Sequence, residues 1–155
     1  DSPALLPLLR WLARRQISTV CVAPHMAPKD LEEFARSSVV VSTTPVDLRP
    51  LLGTCRLAVL NGGHGTVCAC LMAGVPLVLM PRLLEHEITA YRLVDLGAAR
   101  IAAPDDVESA GAALEAVVND ERYHAAARAL AACYAGASER ENIASLVDDI
   151  LRLQG

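Results

Sequence analysis

The chain has 155 residues, 53% of them hydrophobic and 3% aromatic, with 14 Lys and Arg against 18 Asp and Glu for a formal net charge of −4. That is one globular domain with enough apolar side chain to offset the entropy of ordering, which excludes disordered and fibrous classes. The basic residues are scattered rather than blocked, which argues against nucleic acid as a partner, and no apolar run approaches the ~18 residues of a membrane span.

In chain order, apolar residues at Leu5, Leu8, Leu9 and Leu12 predict a helix over 4–15. Residues 17–23 form a β-branched run closed by Pro24, which reads as a strand. A short helix is expected over 30–37 and a strand over 39–43, stopped by Pro45. A helical turn over 47–52 leads into Leu57, Ala58, Val59 and Leu60, a wholly apolar strand of the kind covered on both faces. Residues 66–73 read as a helix ended by Gly74, 75–80 as a strand ended by Pro81, 87–96 as a helix ended by Gly97, and 99–102 as a weaker strand. From Asp106 the chain turns to Ala-rich helices over 107–118, 121–135 and 139–153. The alternation predicts an α/β fold: a Rossmann-like parallel sheet with helices on both faces and a helical C-terminal end, in one domain over 1–155.

Five cysteines, an odd number, sit mostly in apolar runs and read as reduced thiols. Cys68 and Cys70 are too close for a zinc ribbon's Cys-x-x-Cys, so no metal site is expected. The start Asp1-Ser2-Pro3 has no charged leader, and the expectation is a soluble cytoplasmic protein of which this chain is a part.

The most informative segment runs from Leu57 through Asn61-Gly62-Gly63-His64-Gly65-Thr66, a strand passing through three glycines into a helix. Glycines let the backbone approach a ligand, and the amides and dipole of a following helix attract an anion. The same residues also suit a tight strand-to-helix turn with Thr66 as a plain N-cap. The loop lacks both the Gly-x-Gly-x-x-Gly spacing of a dinucleotide fold and the Lys of a P-loop. Glu85 and His86 follow Pro81 by four and five residues, past the end of a neighbouring strand. In a parallel sheet such positions converge on one crevice, where an acidic side chain accepts hydrogen bonds from sugar hydroxyls.

These residues resemble the C-terminal, donor-binding domain of GT-B glycosyltransferases, particularly the UDP-glycosyltransferase-like enzymes of natural-product and macrolide pathways. Thr43-Thr44-Pro45-Val46 stands at the family's Trp-x-Pro-Gln-like motif, and Asn61 to Thr66 at its His-x-Gly-x-Gly/Asn-Ser/Thr loop. Gly74-Val75-Pro76 and Pro81 match the next signature, and Glu85-His86 takes the place of the Asp/Glu-Gln pair. The likeness runs from about Val39 onward.

The resemblance implies a donor site made by Thr43, Val46, Asn61, Gly63, His64, Gly65, Thr66, Glu85 and His86. Three positions depart from the family. Asn61 replaces a His that touches phosphate, and brings a hydrogen-bond donor without charge. Thr43 replaces an aromatic residue that stacks on the base, leaving that role to the backbone around Val46. His86 replaces a Gln that grips sugar hydroxyls, so the donor sugar differs from glucose or donor use is lost. His64 is either a ligand-facing group or a loop spacer.

The implied function is the donor half of a transferase that moves a sugar from a UDP- or dTDP-sugar onto a small-molecule acceptor. It uses no other cofactor and no metal, and its general base lies in an N-terminal acceptor domain rather than in this chain. The alternatives are another GT-B activity, such as a lipid-linked N-acetylglucosamine transferase or a sugar-nucleotide epimerase, and a non-catalytic auxiliary protein. A homo-oligomer or an auxiliary partner is compatible with each. The doubly wound order 3-2-1-4-5-6 places the five predicted strands as the second to the sixth. The first strand and the acceptor domain are therefore expected upstream of Asp1. His25 and His124 are expected at the surface.

Overall fold

The structure is a computed structural model that describes residues 3–136; the helix expected over 139–153 lies outside the described residues. The elements alternate as the apolar pattern requires: α1 (Leu5–Arg14), β1 (Thr19–Val22), α2 (Pro28–Phe34), β2 (Val39–Ser42), α3 (Arg49–Leu52), β3 (Ala58–Leu60), α4 (His64–Met72), β4 (Leu77–Leu79), α5 (Leu84–Asp95), β5 (Ala99–Ile101), α6 (Val107–Asn119) and α7 (Glu121–Cys133).

Every strand pairing is parallel. β1 pairs with β2, Thr19 opposite Val39, and β3 pairs with β4, which pairs in turn with β5, so that Leu77 lies between Ala58 and Ala99. The strands form two sheets, β1-β2 and β3-β4-β5, with no pairing between β1 and β3.

β4 is central in its sheet, and its three side chains are fully buried. Alternation along it sends Val78 to one face and Leu77 and Leu79 to the other, and the two faces meet different helices. Val78 joins Leu8, Leu9 and Leu12 of α1, Phe34 of α2, Val39 of β2, and Ala113 and Val117 of α6. Leu77 and Leu79 join Val67 and Cys70 of α4 and Ala90 and Leu93 of α5. The first cluster draws on both sheets, so α1 and α6 hold them in one layer.

α1 and α6 cross where Gly111 meets the ring of Trp11: a Cβ built on Gly111 would lie 2.9 Å from the ring. Arg15 stacks on the same ring, 3.9 Å from its centre. Trp11 is thus a packing residue. His124 departs from expectation: it is buried, 8% exposed, on the same face of α7 as Ala127.

Candidate functional site

The glycine loop leaves β3 at Leu60 and enters α4 at His64, two residues earlier than the helix start read from the sequence. Gly63 is the N-cap and makes no side-chain bond, so Thr66 is inside the first turn rather than at the cap. Asn61 shapes the entry: its Oδ1 accepts from the N–H of Gly63 at 3.3 Å, an Asx turn that leaves the amide nitrogen as its donor. Gly62 has φ +107, and a Cβ there would lie 2.9 Å from the Cβ of His86. Only glycine fits this position, and its fit seats the loop on the start of α5.

The first turn of α4 is open. The amide of Val67 bonds to the carbonyl of Gly63, and the N–H groups of His64, Gly65 and Thr66 have no bond among the described residues. His64, Gly65 and Thr66 are exposed. Nothing lies within 4 Å of a Cβ built on Gly65, so the first turn is open at that residue. Three free N–H groups and the positive end of a nine-residue helix meet at this mouth, an arrangement that attracts an anion.

α5 begins at Leu84, three residues earlier than expected, which places Glu85 and His86 in its first turn rather than in a loop. The Glu85 side chain is 69% exposed and that of His86 only 11%, with Glu85 Oε1 3.6 Å from His86 Nε2. His86 Nδ1 is buried and has no partner among the described residues. Of this pair, Glu85 faces solvent and His86 supports the glycine loop. Thr89, which sequence reasoning passed over, ties the two helix starts together: its hydroxyl donates to the carbonyl of Glu85 at 2.9 Å and lies 3.3 Å from Nε2 of His64. Its place one turn after Glu85 is the only sequence signal it carries. Beyond Met80, Arg82 pairs with Asp105 and joins the segments that follow β4 and β5.

The structure therefore brings Asn61, Gly63, His64, Gly65 and Thr66 together with Glu85 and His86. Thr43 and Val46 lie past the end of β2, on the other sheet, with Thr43 exposed and Val46 half-buried. No hydrogen bond among the described residues joins them to the loop. Next to them, Asp47 is held below the usual carboxylate range by hydrogen bonds from the Arg49 guanidinium, 2.8 Å away, and from the Arg49 amide. Beneath the mouth, burial pushes the Cys70 thiol up to about 11, with a smaller contribution from Cys55. No cluster of His, Cys, Asp and Glu among the described residues is arranged to hold a metal ion.

Residues 19–150 match the family described as "Erythromycin biosynthesis protein CIII-like, C-terminal domain". The chain belongs to that family. It is similar to elloramycin glycosyltransferase of Streptomyces olivaceus, 35% identical over 103 residues that make up 66% of this chain and 25% of that protein. It is also similar to L-demethylnoviosyl transferase of Streptomyces niveus, 34% identical over 94 residues, 59% of this chain and 24% of that protein. The chain thus spans about a quarter of the length of these curated relatives. Among solved structures, spinosyn forosaminyltransferase SpnP superimposes with a TM-score of 0.74 at 21% identity, covering 94% of this chain and 37% of that one. Glycosyltransferase VinC, solved with DTDP, gives 0.70 at 22% identity over 86% of this chain and 42% of its own. The fold is that of a GT-B glycosyltransferase C-terminal domain.

Proposed function

We propose that this chain is the donor-binding half of a glycosyltransferase that moves a sugar from a UDP- or dTDP-sugar onto a small-molecule natural-product acceptor. The observation that carries the reading is the open first turn of α4, with three free amides behind a glycine loop and the exposed Glu85 beside it. Diphosphate sits on the amides of His64, Gly65 and Thr66, and Asn61 adds a neutral donor. Glu85 accepts from sugar hydroxyls, while His86 shapes that subsite from below. The base lies toward Thr43 and the backbone at Val46. As the glycosidic bond breaks, charge grows on the leaving diphosphate, and fixed amides and a helix dipole stabilise it without reorganising. The acceptor is deprotonated by a group outside this chain. The matched family and relatives favour a transferase over the auxiliary, epimerase and lipid-linked alternatives. The free thiols at all five cysteines fit action in the cytoplasm. Calorimetry of the full-length protein against UDP and dTDP tests the reading: saturable binding of one is expected, and no binding of either contradicts it.

The same reading extends to the missing part of the sheet. α1 packs on a core that includes residues of both sheets, and β1 and β3 each have one unpaired edge among the described residues. A further parallel strand paired with both would satisfy these edges. The chain spans about a quarter of the length of its curated relatives, and this reading assigns such a strand and the acceptor domain to the rest of the protein, with sugar transfer needing both. Sugar transfer by these residues alone contradicts this extension.

A further inference from the structure

We infer that His64 is the side-chain donor to the diphosphate, taking over in the neighbouring turn the charge that Asn61 does not carry, and that Thr89 is its positioning residue. The inference rests on the donor-site reading above.

A threonine hydroxyl has one proton, and at Thr89 it goes to the carbonyl of Glu85 at 2.9 Å. The contact between Thr89 Oγ1 and His64 Nε2, at 3.3 Å, then has its proton on the imidazole. His64 is thereby fixed with hydrogen on Nε2, and Nδ1 is left for another partner. Nδ1 adjoins Cγ and so stays near the backbone of His64, whose amide is one of the three free donors at the mouth. A neutral Nδ1 only accepts, so contact with phosphate requires the imidazolium, which donates from Nε2 to Thr89 and from Nδ1 to the anion.

An anion held by the imidazolium draws a proton onto any His64 that is neutral before binding, and that linked uptake is what the experiment reads. The titratable groups on the elements around it are few. α4 itself carries Cys68 and Cys70, and β3 has none. α5 presents Glu85, His86 and Glu87 near the site, with Tyr91, Arg92 and Asp95 further along. On α7, Glu121 and Arg128 pair at 2.6 Å, and Arg128 lies against Gly74 at the far end of α4; His124 is buried, and Asp120 pairs with Arg122. Glu85, one turn before Thr89, is the carboxylate in the first turn of α5, and its side chain lies 3.6 Å from His86 Nε2.

The test is calorimetric titration of the full-length protein with dTDP at about pH 8 in two buffers of different ionisation enthalpy. The wild type is expected to take up a proton. H64A is expected to take up none and to bind about tenfold more weakly, the scale of a charge-assisted hydrogen bond. T89V is expected to lose part of that affinity, T89S to regain most of it, and H64A/T89V to bind no more weakly than H64A. Proton uptake that persists in H64A, or losses that add in the double variant, overturns the inference while wild-type binding leaves the donor site standing. Absence of dTDP and UDP binding by the wild type overturns the donor-site reading and this inference together.

Discussion

His86 is the floor on which Gly62 rests. A Cβ at Gly62 would lie 2.9 Å from the Cβ of His86 and 3.2 Å from its Cα and carbonyl oxygen, and Gly62 has φ +107. A steric limit and a conformational one coincide at this residue, and through it β3 and α5 hold the glycine loop in a single shape.

The first prediction follows from that contact. G62A is expected to destabilise the fold by about 1–3 kcal/mol, as for other side chains forced into sparsely populated backbone, and to weaken UDP or dTDP binding. Because two of the three contacts are to His86 backbone atoms, H86G does not rescue it. Urea denaturation of the single and double variants checks this. Wild-type stability in G62A would show that the loop is not seated as described.

A second prediction concerns Gly111. Alanine there gains helix propensity of about 1 kcal/mol, but its methyl would meet the Trp11 ring at 2.9 Å. Overpacking at a helix crossing costs about 1–3 kcal/mol, and Trp11 is also held by Arg15, stacked 3.9 Å from its ring centre. G111A is therefore expected to be less stable, and W11L/G111A to recover relative to it. Thermal unfolding of the set decides between a net gain and a net loss.

The thiols give a third prediction. Cys68 and Cys133 are exposed, whereas burial raises Cys21, Cys55 and Cys70 above their ordinary value, Cys70 to about 11. Peptide mapping after brief alkylation of the native protein near pH 8 is expected to label Cys68 and Cys133 ahead of the others. The folded state holds the Cys70 proton more tightly than the unfolded chain does. Its contribution to stability is therefore intact below about 9 and is lost as pH rises toward about 11. Early alkylation of Cys70 would contradict its placement.

Glu85 and His86 were read from sequence as one pair, and the structure separates them. E85A is expected to raise KM for the sugar nucleotide about tenfold, on the scale of one lost hydrogen bond to a charged group, with little change in the Kd of the free nucleoside diphosphate. H86Q is expected to shift sugar preference through the floor of the loop. Steady-state kinetics with two donor sugars, alongside nucleotide binding, separates the effects. A change in nucleotide affinity alone would contradict the sugar role of both.

Much of this architecture is legible in the sequence because apolar runs and glycine stops are local signals. The run at Leu57–Leu60 reads as a strand covered on both faces, yet Ala58, Val59 and Leu60 are only half-buried, and the strand buried on both faces is its neighbour Leu77–Leu79, which lies between two others. The glycine loop reads as an anion cradle and opens onto free amides. What local pattern cannot supply is which partner a residue finds across the fold. Thr66 looks like a cap, yet Gly63 caps the helix with its backbone alone. Thr89 has no motif, and its role exists only because α5 brings it 3.3 Å from His64. His124 reads as a residue on a helix surface, yet the period of α7 turns it inward with Ala127.

The most direct test of the donor-site account is a single substitution at Gly65. Its Cβ position meets nothing within 4 Å, so valine fits the free fold while adding bulk to the open first turn that carries the three amides. Calorimetric titration of G65V with UDP and dTDP, next to the wild type and with the fold checked by circular dichroism, is predicted to show a folded protein whose nucleotide affinity has fallen by about a hundredfold or more, the scale of losing a positioned donor set. A folded G65V that binds with unchanged affinity would contradict the placement of the diphosphate at the start of α4.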